Sequence, residues 1–466
     1  MASVAIIGGG ISGLSAAYYL GQTGIPSTLI EARSRLGGVI RTETAEGCIV
    51  EGGPDSFLSV KSAAMELIEE LGLAQEVIGS NDHLRKTFVL RNGRLVPLPD
   101  GLQLMIPTRI VPMATTGLVS WHTKLRMALE WFRSPAKETR PDRSVADFVA
   151  DHYGREAVDY LTEPLLSGVY GGDPQQLSAA SVLPRLFELE GRYGSLTRGA
   201  LAERRAAAEA GSSLPLFRSL RGGMQQLVDT LVSRIATTTE IVRGTAERIE
   251  RGEEGYRVRV AGTPLPAQAV VLACEAHRAA ALAAGIDERL ADMLAGVSYS
   301  SSMIVSLIFD RSAFPRPLAG FGFLVPRRER SRLVACTSVG TKFPHRVPDG
   351  LVLLRCFLGG VGDPGVLDET DEAAVRMATA ELERIVGVRA GPRFWRVFRW
   401  PSSMAQYTVG HQARVAEIET RLASLAGLHV VGNAYHGIGI PDCIRMAKQV
   451  ASRIAAERSA QTQNRP

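Results

Sequence analysis

The start of the chain alternates between short apolar runs and glycine-rich turns. Val4–Ile7 is an apolar run that stops at glycine, and residues 28–30 form a second run that ends at Glu31. Between them, residues 14–20 have the Ala, Leu and Tyr content of a packed helix. A short apolar run bounded by turn residues is typical of a buried strand. The pattern therefore predicts a βαβ unit at the N-terminus.

The middle of the chain changes from strand patterns to helix patterns and back. Two apolar runs around Asn92-Gly93 predict a β-hairpin. Helical patterns dominate residues 123–210, and short strand patterns return between residues 240 and 272. We therefore expect the N-terminal domain to resume after a long insertion.

The C-terminal part predicts a second sheet and then the end of the first domain. Residues 301–400 contain apolar runs separated by Pro and Gly turns, which predict a mostly antiparallel sheet with a helix at 370–386. A buried strand is expected at 428–431, followed by a glycine loop and a final helix. Residues 458–466 have the composition of a disordered tail.

Residues 102–121 are apolar but contain Pro107 and Pro112. Proline breaks a regular helix, so this segment cannot span a bilayer as one helix. The pattern favours packing in the core. It also leaves two alternatives open, which are contact with a membrane surface and lining of a hydrophobic opening.

Composition narrows the class of protein. A chain of 466 residues exceeds one hydrophobic core, and 45% apolar and 22% charged residues are ordinary for a globular protein. The net charge of +5 is small for this length and does not indicate nucleic acid. The five cysteines are scattered, which predicts neither a zinc site nor a disulfide framework. Without a signal-peptide or spanning pattern, we expect a cytoplasmic protein, with peripheral membrane contact as an alternative.

The first turn has the chemistry of a dinucleotide site. Gly8, Gly10 and Gly13 form a G-x-G-x-x-G motif between strand and helix. The first glycine makes the turn, the second lets the backbone approach a pyrophosphate, and the third lets helix and strand pack closely. Glu31 ends the second strand, where a carboxylate can bind ribose hydroxyls. A tight turn without ligand explains many such motifs, but the order of elements favours a nucleotide.

Two further glycine turns point to the same ligand. Arg35, Gly37 and Gly38 follow Glu31, and E-x-x-x-R-x-G-G resembles the second fingerprint of FAD-containing oxidases. This favours FAD over NAD.

The C-terminal turn contains Gly437, Gly439, Ile440 and Asp442 at the start of a helix. A helix N-terminus favours negative charge, such as that of a reduced flavin. Cys443 follows, and its expected burial predicts non-covalent FAD.

Several longer segments resemble the FAD-dependent protoporphyrinogen/coproporphyrinogen III oxidase family, within the amine-oxidase-like flavoproteins. The resemblance runs from residue 3 to about 455. These segments are EPLLSGVYGGDPQQLS at 163–178, LFELEGRYGSLTR at 186–198, RGGMQQLVDTL at 221–231, RWPSSMAQYTVGHQARV at 399–415 and GNAYHGIGIPDC at 432–443.

The resemblance implies an α/β fold of three parts. They are a Rossmann-type FAD-binding domain, a substrate-binding domain on a mixed sheet, and an inserted helical domain of the type that faces a membrane in related enzymes. The expected boundaries are 1–60, 220–298 and 425–466 for the first, 61–95 and 299–424 for the second, and 96–219 for the third.

The resemblance also implies an activity, which is O2-dependent, six-electron oxidation of a porphyrinogen to a porphyrin with release of H2O2. Hydride would leave a meso carbon for the flavin N5 in three cycles. Positioning dominates such chemistry, so we expect no metal, no nucleophile and no indispensable acid or base. Coproporphyrinogen III is the favoured substrate, and protoporphyrinogen IX is the alternative. More remote alternatives are an amine or carotenoid oxidoreductase, a flavin-dependent mutase and a tetrapyrrole carrier.

The resemblance implies substrate-positioning residues as well. The backbone carbonyl of Gly168 would accept pyrrole N–H groups. Phe321 and Leu324 would sandwich the macrocycle, with Phe357 near the opposite side. Plain core packing is the alternative for these three side chains.

Many relatives place a propionate-binding arginine where this chain has Thr87. The neighbouring cations that could substitute are Arg85, Lys86, Arg91 and Arg94. Ala246 matches a strand residue that contacts adenine. As partners we expect the porphyrinogen and O2, with transient contact to the next heme-pathway enzyme or a membrane surface, and no nucleic acid.

Overall fold

The core of the fold is a five-stranded parallel sheet. The structure, a computed structural model, describes residues 4–135, 141–208, 214–253, 255–316 and 318–463. Every residue of the adjacent strands Val4–Ile7 and Ala269–Leu272 is buried, as expected for a parallel sheet covered on both faces. In spatial order the strands are Thr239–Arg243, Ser27–Glu31, Val4–Ile7, Ala269–Leu272 and Leu428–Val430.

Helices from both ends of the chain pack on this sheet. Ile11–Gln22 follows the first glycine turn and packs against the final helix, Ile440–Gln463, and against Gln225–Ile235. A Cβ on Gly13 would lie 1.9 Å from the carbonyl oxygen of Gly8, so only glycine permits this packing. The motif thus fixes the helix directly over the strand.

A seven-stranded mixed sheet forms the second layer. Its pairs are antiparallel except for Gly322–Leu324, which runs parallel to Thr87–Arg91. The helix Asp371–Val386 covers one face, and the other face turns toward the parallel-sheet portion. In spatial order the strands are Phe394–Ala405, Tyr299–Asp310, Leu351–Gly359, Leu333–Ser338, Gly322–Leu324, Thr87–Arg91 and Arg94–Pro97.

A helical portion lies along the chain between the strands Ile106–Pro107 and Phe217–Leu220. Ser120, Ser144 and Ser178 each cap a helix through a side-chain oxygen that accepts a backbone N–H. The helices are Ile110–Thr115, Trp121–Glu130, Val145–Tyr153, Arg155–Ala157, the π-helical turn Val158–Thr162, Glu163–Tyr170, Ala179–Val182, Pro184–Tyr193 and Leu196–Ala208.

Shorter elements connect these layers. The remaining strands are Thr42–Ala45, Cys48–Glu51, Phe57–Leu58, Val77–Gly79, Leu102–Gln103, Ile106–Pro107, Phe217–Leu220, Ala246–Gly252, Gly255–Val260 and Thr263–Ala267. The remaining α-helices are Ala63–Glu70, Ala276–Ala283, Glu288–Ala295, Val339–Lys342 and His411–Ser424. Short 3-10 turns are Ala74–Glu76, Asp82–Leu84, Arg311–Ala313, Pro344–Arg346 and Pro364–Asp368.

The predicted α/β class, βαβ unit and antiparallel second sheet are confirmed. The hairpin at Asn92-Gly93 is also confirmed, with φ of 50° and 72° as a type I′ turn requires. The predicted disordered tail is wrong, because the final helix continues to Gln463; residues 464–466 lie outside the described part. Within the described residues, no helix is both long enough and apolar enough to cross a bilayer.

Candidate active site

One cavity of about 1700 Å³ opens at the carboxyl ends of the parallel strands. Ligand pockets are commonly about 300–1,000 Å³, so this cavity has room for a dinucleotide and a second molecule. All three predicted glycine turns reach it, through Gly8 and Gly10, Gly37 and Gly38, and Gly437 and Gly439. The first and last turns of the chain therefore meet at one site. This is the crevice position in which open α/β sheets bind ligands.

The first two glycine turns form a narrow cradle. Gly8 has φ of 111°, and a Cβ there would lie 2.7 Å from the carbonyl oxygen of Ala273. A Cβ on Gly38 would lie 3.1 Å from Cα of Gly10, and Gly37 N donates to Gly9 O at 2.8 Å. Side chains would fill the space, whereas bare backbone leaves it to a ligand. The cradle fits a pyrophosphate beside the N-terminus of Ile11–Gln22.

Glu31 and Ala246 mark one end of the cavity. The Glu31 carboxylate accepts Gly9 N at 2.6 Å and Arg33 N at 2.8 Å. These bonds fix its orientation, and a carboxylate has further lone pairs for two hydroxyl groups. This end suits a ribose and an adenine ring.

Arg35 and Gly13 do not line the cavity in the described part of the chain. The Arg35 guanidinium donates to Ile40 O at 2.7 Å, to Leu36 O at 3.0 Å and also to Gly38 O. Arg35 therefore braces the second glycine turn from behind, and Gly13 acts through helix packing.

The C-terminal turn is held by side chains. Asp442 is buried, its Oδ2 accepts Gly439 N at 3.3 Å, and Lys61 Nζ lies 2.5 Å from the same oxygen. Tyr407 OH donates to Asn433 O at 2.9 Å and accepts Gly437 N at 2.8 Å. Sequence analysis did not single out Lys61 or Tyr407, although Tyr407 lies in one of the family-like segments.

Sequence analysis also missed the part of the cavity beside the C-terminal turn, here called the far end, where Lys61 contacts Asp442. It is lined by the loop after Glu51 and by aromatic residues from separate elements. The signal was available in the segment VEGGPDSF, which continues a strand into a glycine turn. These residues are Pro54, Ser56, Phe57, Tyr170 and Phe217.

Three of the expected substrate residues lie together beside this end. A Cβ on Gly168 would lie 3.3 Å from Leu324 Cδ2 and 4.0 Å from Ala335 Cβ, and Ala335 pairs with Phe357 across neighbouring strands. The next residues of the Gly168 helix, Val169 and Tyr170, line the cavity. Phe321 is buried just before the strand, and its N–H donates to Lys86 O at 2.8 Å.

The four candidate propionate cations differ in their contacts, and none lies among the described cavity-lining residues. Arg91 Nη2 is 2.8 Å from Glu156, and its guanidinium stacks over Tyr160. Both contacts engage its guanidinium within the protein. Arg85 is exposed with Asp82 at 3.8 Å, and Lys86 and Arg94 are exposed at opposite ends of the hairpin.

Two thiols line the cavity, Cys274 and Cys443. Burial raises the pKa of Cys274 to about 12 and that of Cys443 to about 11. Both thiols are therefore protonated near neutral pH, and a thiol is a poor nucleophile. This supports a cofactor bound without a covalent link to sulfur.

Comparison with known proteins gives concordant relatives. The model of the family "Flavin containing amine oxidoreductase" matches residues 11–455. A Bacillus subtilis protein named coproporphyrinogen III oxidase is 35% identical, over 96% of this chain and 97% of its own length. A Staphylococcus aureus protein of the same name is 30% identical, over 98% and 99%. An Arabidopsis thaliana protein named protoporphyrinogen oxidase 2 is 26% identical, over 97% and 93%.

Solved structures share the fold over the whole chain. A solved structure of a protein from Exiguobacterium sp. 255-15, provisionally named a protoporphyrinogen oxidase, has a TM-score of 0.86 at 31% identity, covering 98% of this chain and 99% of that one. A putrescine oxidase has a TM-score of 0.72 at 17% identity with the same coverage, which shows the fold alone. Together with a cradle built from both ends of the polypeptide, these matches show that the chain belongs to the flavin-containing amine oxidoreductase family and that its cofactor is FAD.

Proposed function

We propose that the protein oxidises coproporphyrinogen III to coproporphyrin III with bound FAD and O2. The observation that carries the proposal is one helix, Glu163–Tyr170, which contributes to two surfaces. Its last residues line the far end of the cavity, and Gly168 contacts the sheet face that carries Leu324 and Phe357. An apolar wall therefore continues directly from the flavin end of the cavity. The names of the full-length relatives agree with a flat, reduced tetrapyrrole as the substrate.

When bound, FAD supplies the hydride acceptor and passes electrons to O2. The chain's own residues orient the substrate and exclude water. We propose that Leu324 and Phe357 contact the macrocycle face and that the carbonyl of Gly168 accepts pyrrole N–H groups. No side-chain acid or base is assigned, since aromatisation of an electron-rich ring depends mainly on geometry.

We propose Lys86 and Arg85 as the cations for the propionates. Lys86 O accepts the N–H of Phe321, so both residues lie next to one of the expected macrocycle side chains. Arg91 is not part of this proposal, because its guanidinium already contacts Glu156 and Tyr160.

The experiment compares the growth of porphyrin fluorescence with coproporphyrinogen III and protoporphyrinogen IX in parallel, with anaerobic bleaching of the flavin band as a second readout. We expect the wild type to turn over coproporphyrinogen III, the tetracarboxylate, faster than protoporphyrinogen IX. Lys86→Ala should slow the turnover of coproporphyrinogen III and leave that of protoporphyrinogen IX unchanged. Bleaching by neither compound would refute a porphyrinogen oxidase.

Protoporphyrinogen IX is the second candidate, favoured by the names of the Arabidopsis relative and the Exiguobacterium structure. Equal or faster turnover of the dicarboxylate in the parallel assay would select it.

We also propose that the helical portion binds a membrane surface. Residues 104–132 expose an apolar patch, with Ile110 87%, Trp121 74% and Phe132 76% exposed. The only acid between residues 101 and 135 is Glu130, which is buried, while Arg109, Lys124 and Arg126 supply positive charge. Arg133 is paired with Asp151. An apolar face flanked by cations is typical of helices that lie on anionic lipid. The patch consists of Leu104, Ile110, Val111, Trp121, Leu125, Leu129, Trp131 and Phe132.

A further inference from the structure

Five charged side chains form a buried cluster behind the far end of the cavity. Glu51 ends the strand Cys48–Glu51, and Asp55 lies in the loop that follows it and borders the cavity. Lys342, Arg346 and Arg355 come from the portion built on the mixed sheet. The exposed side-chain fractions of Glu51, Arg346 and Arg355 are 1%, 0% and 3%. The cluster thus joins the two portions of the molecule where they share the cavity wall.

Asp55 is the centre of the cluster. Lys342 Nζ lies 3.0 Å from both carboxylate oxygens and 2.9 Å from Ser56 Oγ, and Arg355 Nη1 lies 3.2 Å from Oδ2. Ser56 lines the cavity, as does Phe217, whose ring centroid is 4.5 Å from Lys342 Nζ. The charges are therefore separated from the cavity by a single layer of side chains.

The cations also hold the loop backbone. Arg355 donates to Gly53 O, and Arg346 Nη1 donates to Asp55 O at 3.3 Å. Ser219 Oγ donates to the same Asp55 oxygen at 2.6 Å. The side chains that carry the positive charge of the cluster therefore also fix the position of the loop.

The cluster has an excess of positive charge, with three cations against two carboxylates. Burial opposes ionisation of Asp55, but Lys342 and Arg355 outweigh it and lower its pKa. Burial raises the pKa of Glu51, which can only increase the positive excess. Burial lowers the pKa of Lys342, and the Asp55 carboxylate, which it contacts through both oxygens, opposes this effect and favours the ammonium form. Apolar residues of similar volume often stabilise an interface as well as buried ions do, so stability alone does not account for this excess.

We propose that Lys342, Asp55 and Arg355 tune the redox potential of the bound FAD through this buried positive excess. Glu31 and Ala246 mark the adenosine end of the cavity, whereas the segment after Asp55 reaches the C-terminal glycine turn, where Lys61 Nζ lies 2.5 Å from Asp442. The isoalloxazine ring of a bound FAD would therefore lie beside the part of the cavity that Ser56 and Phe217 line. Reduction by two electrons and one proton leaves the ring negatively charged, and nearby positive charge stabilises that form. The inference rests on the proposed function only in requiring FAD in the cavity, and no porphyrinogen takes part in its test.

The test measures the midpoint potential of the purified holoenzyme by slow enzymatic reduction with xanthine and xanthine oxidase against reference dyes. The variants are Lys342→Met, Asp55→Asn and the double variant. Lys342→Met should lower the potential, and Asp55→Asn should raise it. We expect each to change the ratio of reduced to oxidised FAD roughly tenfold, because a unit charge within about 10 Å acts on this scale at an effective dielectric constant near 20. For a two-electron couple, tenfold corresponds to about 30 mV. The double variant should lie between the single variants.

Lys342→Met and Asp55→Asn should shift the midpoint potential in opposite directions, and this distinguishes an electrostatic role from a structural one. A loosened loop would change FAD retention and potential in the same direction in both single variants, so shifts of the same sign overturn the proposal. Arg143→Met is the matched control, because it breaks a largely buried pair with Glu190 at 2.7 Å in the helical portion, and shifts no larger than this control also overturn the proposal. If Lys342→Met does not fold, Lys342→Gln takes its place with the same expected sign. Failure of porphyrinogen turnover with the predicted shifts intact would refute the substrate and leave the electrostatic role standing.

Discussion

At the residue scale, the nucleotide-binding end depends on carboxylates and backbone groups rather than on long side chains. The Glu31 carboxylate is positioned by two backbone N–H groups before any ligand binds. Arg35 belongs to the second fingerprint, but its guanidinium donates to backbone carbonyls of the glycine turn. Pre-organisation of this kind lowers the cost of ordering the site when the nucleotide binds.

Glu31→Ala should weaken FAD retention at least tenfold, because it removes a charged acceptor for the ribose and frees the two N–H groups that it orients. The measurement is FAD fluorescence released on dilution or gel filtration. Glu240→Ala is the matched control, since Glu240 is exposed on the neighbouring strand Thr239–Arg243. Full retention in Glu31→Ala would remove this carboxylate from the site.

His429 should make stability depend on pH. Burial, reinforced by Arg453, lowers the pKa of His429 to about 4, whereas an unfolded histidine has a pKa of about 6.5. The unfolded state therefore binds more protons between pH 6.5 and 4, and stability falls as the pH falls through this range. The limiting loss is about 3 kcal/mol, from 1.36 kcal/mol per pKa unit.

The measurement is the melting temperature of the wild type and of His429→Gln at pH 7, 5.5 and 4.5. The variant cannot take up this proton, so it should lose less stability on acidification. Parallel curves would contradict the assignment.

At the element scale, contacts between helices hold the helical portion together. Glu130, at the end of Trp121–Glu130, accepts Ser195 Oγ at 2.9 Å and Leu196 N at 2.6 Å. It therefore satisfies the free N-terminus of the helix Leu196–Ala208. Glu130 also accepts Thr197 N at 3.4 Å and lies 3.0 Å from His152 Nδ1. The other ring nitrogen of His152, Nε2, lies 3.2 Å from Glu190.

These contacts give Glu130 a structural role. Asp151, His152 and Glu190 have ligand atoms within 4.8 Å of one another. Glu190 already pairs with Arg143. The absence of a metal, expected from the sequence, stays a prediction.

Glu130→Ala should lower the free energy of unfolding of this portion by about 3–5 kcal/mol, because it leaves the buried donors of Ser195, Leu196 and Thr197 without their acceptor, at about 1–3 kcal/mol for each unsatisfied group. The measurement is thermal unfolding followed by circular dichroism, with FAD release recorded separately. Glu203→Ala is the control, because Glu203 forms a more exposed pair with Arg185, and such pairs contribute at most about 1 kcal/mol. Equal destabilisation by both substitutions would contradict the capping role.

Element packing also bears on the domain boundaries. Ala63–Glu70 packs against the final helix, with Lys448 Nζ 3.2 Å from Glu70. We therefore propose that this helix belongs with the FAD-binding portion, although residues 61–95 were expected in the substrate-binding domain.

At the scale of the whole molecule, the apolar patch on residues 104–132 is a surface feature that does not belong to the cavity. Trp121, Leu125 and Leu129 follow one another at intervals of four residues on one helix face, and each is exposed. Lys124 Nζ donates to Ala114 O at 2.8 Å and so ties this helix to the neighbouring Ile110–Thr115. The patch is therefore a fixed surface built from two helices.

The wild type should co-sediment with vesicles of phosphatidylcholine and phosphatidylglycerol, and less with phosphatidylcholine alone. Leu125→Glu with Leu129→Glu should reduce binding to the anionic vesicles at least tenfold, because burial of each leucine contributes about 1.5–3 kcal/mol. Val409→Glu is the control, since Val409 is a partly exposed apolar residue outside the patch. Equal sedimentation of all three proteins, or none by the wild type, would reject a lipid surface.

The local chemistry of the chain was enough to predict the parallel sheet, its first glycine cradle and the hairpin at Asn92-Gly93. In each case neighbouring residues impose the conformation, as with the close approaches that only Gly8 and Gly13 permit. Apolar periodicity likewise predicted the second sheet, because one face of it is buried against Asp371–Val386.

Long-range packing decided the features that the sequence did not predict. Residues 102–121 were expected in the core, and the structure buries Met105, Ile106 and Met113 while it exposes Ile110 and Val111. Periodicity identifies apolar positions but does not say how many of them the other elements can cover. The cluster around Asp55 joins side chains almost 300 positions apart, with Asp55 and Lys342 separated by 287. Only the tertiary structure brings such groups together, because their attraction depends on shared burial between two sheets, and no local sequence pattern encodes that burial.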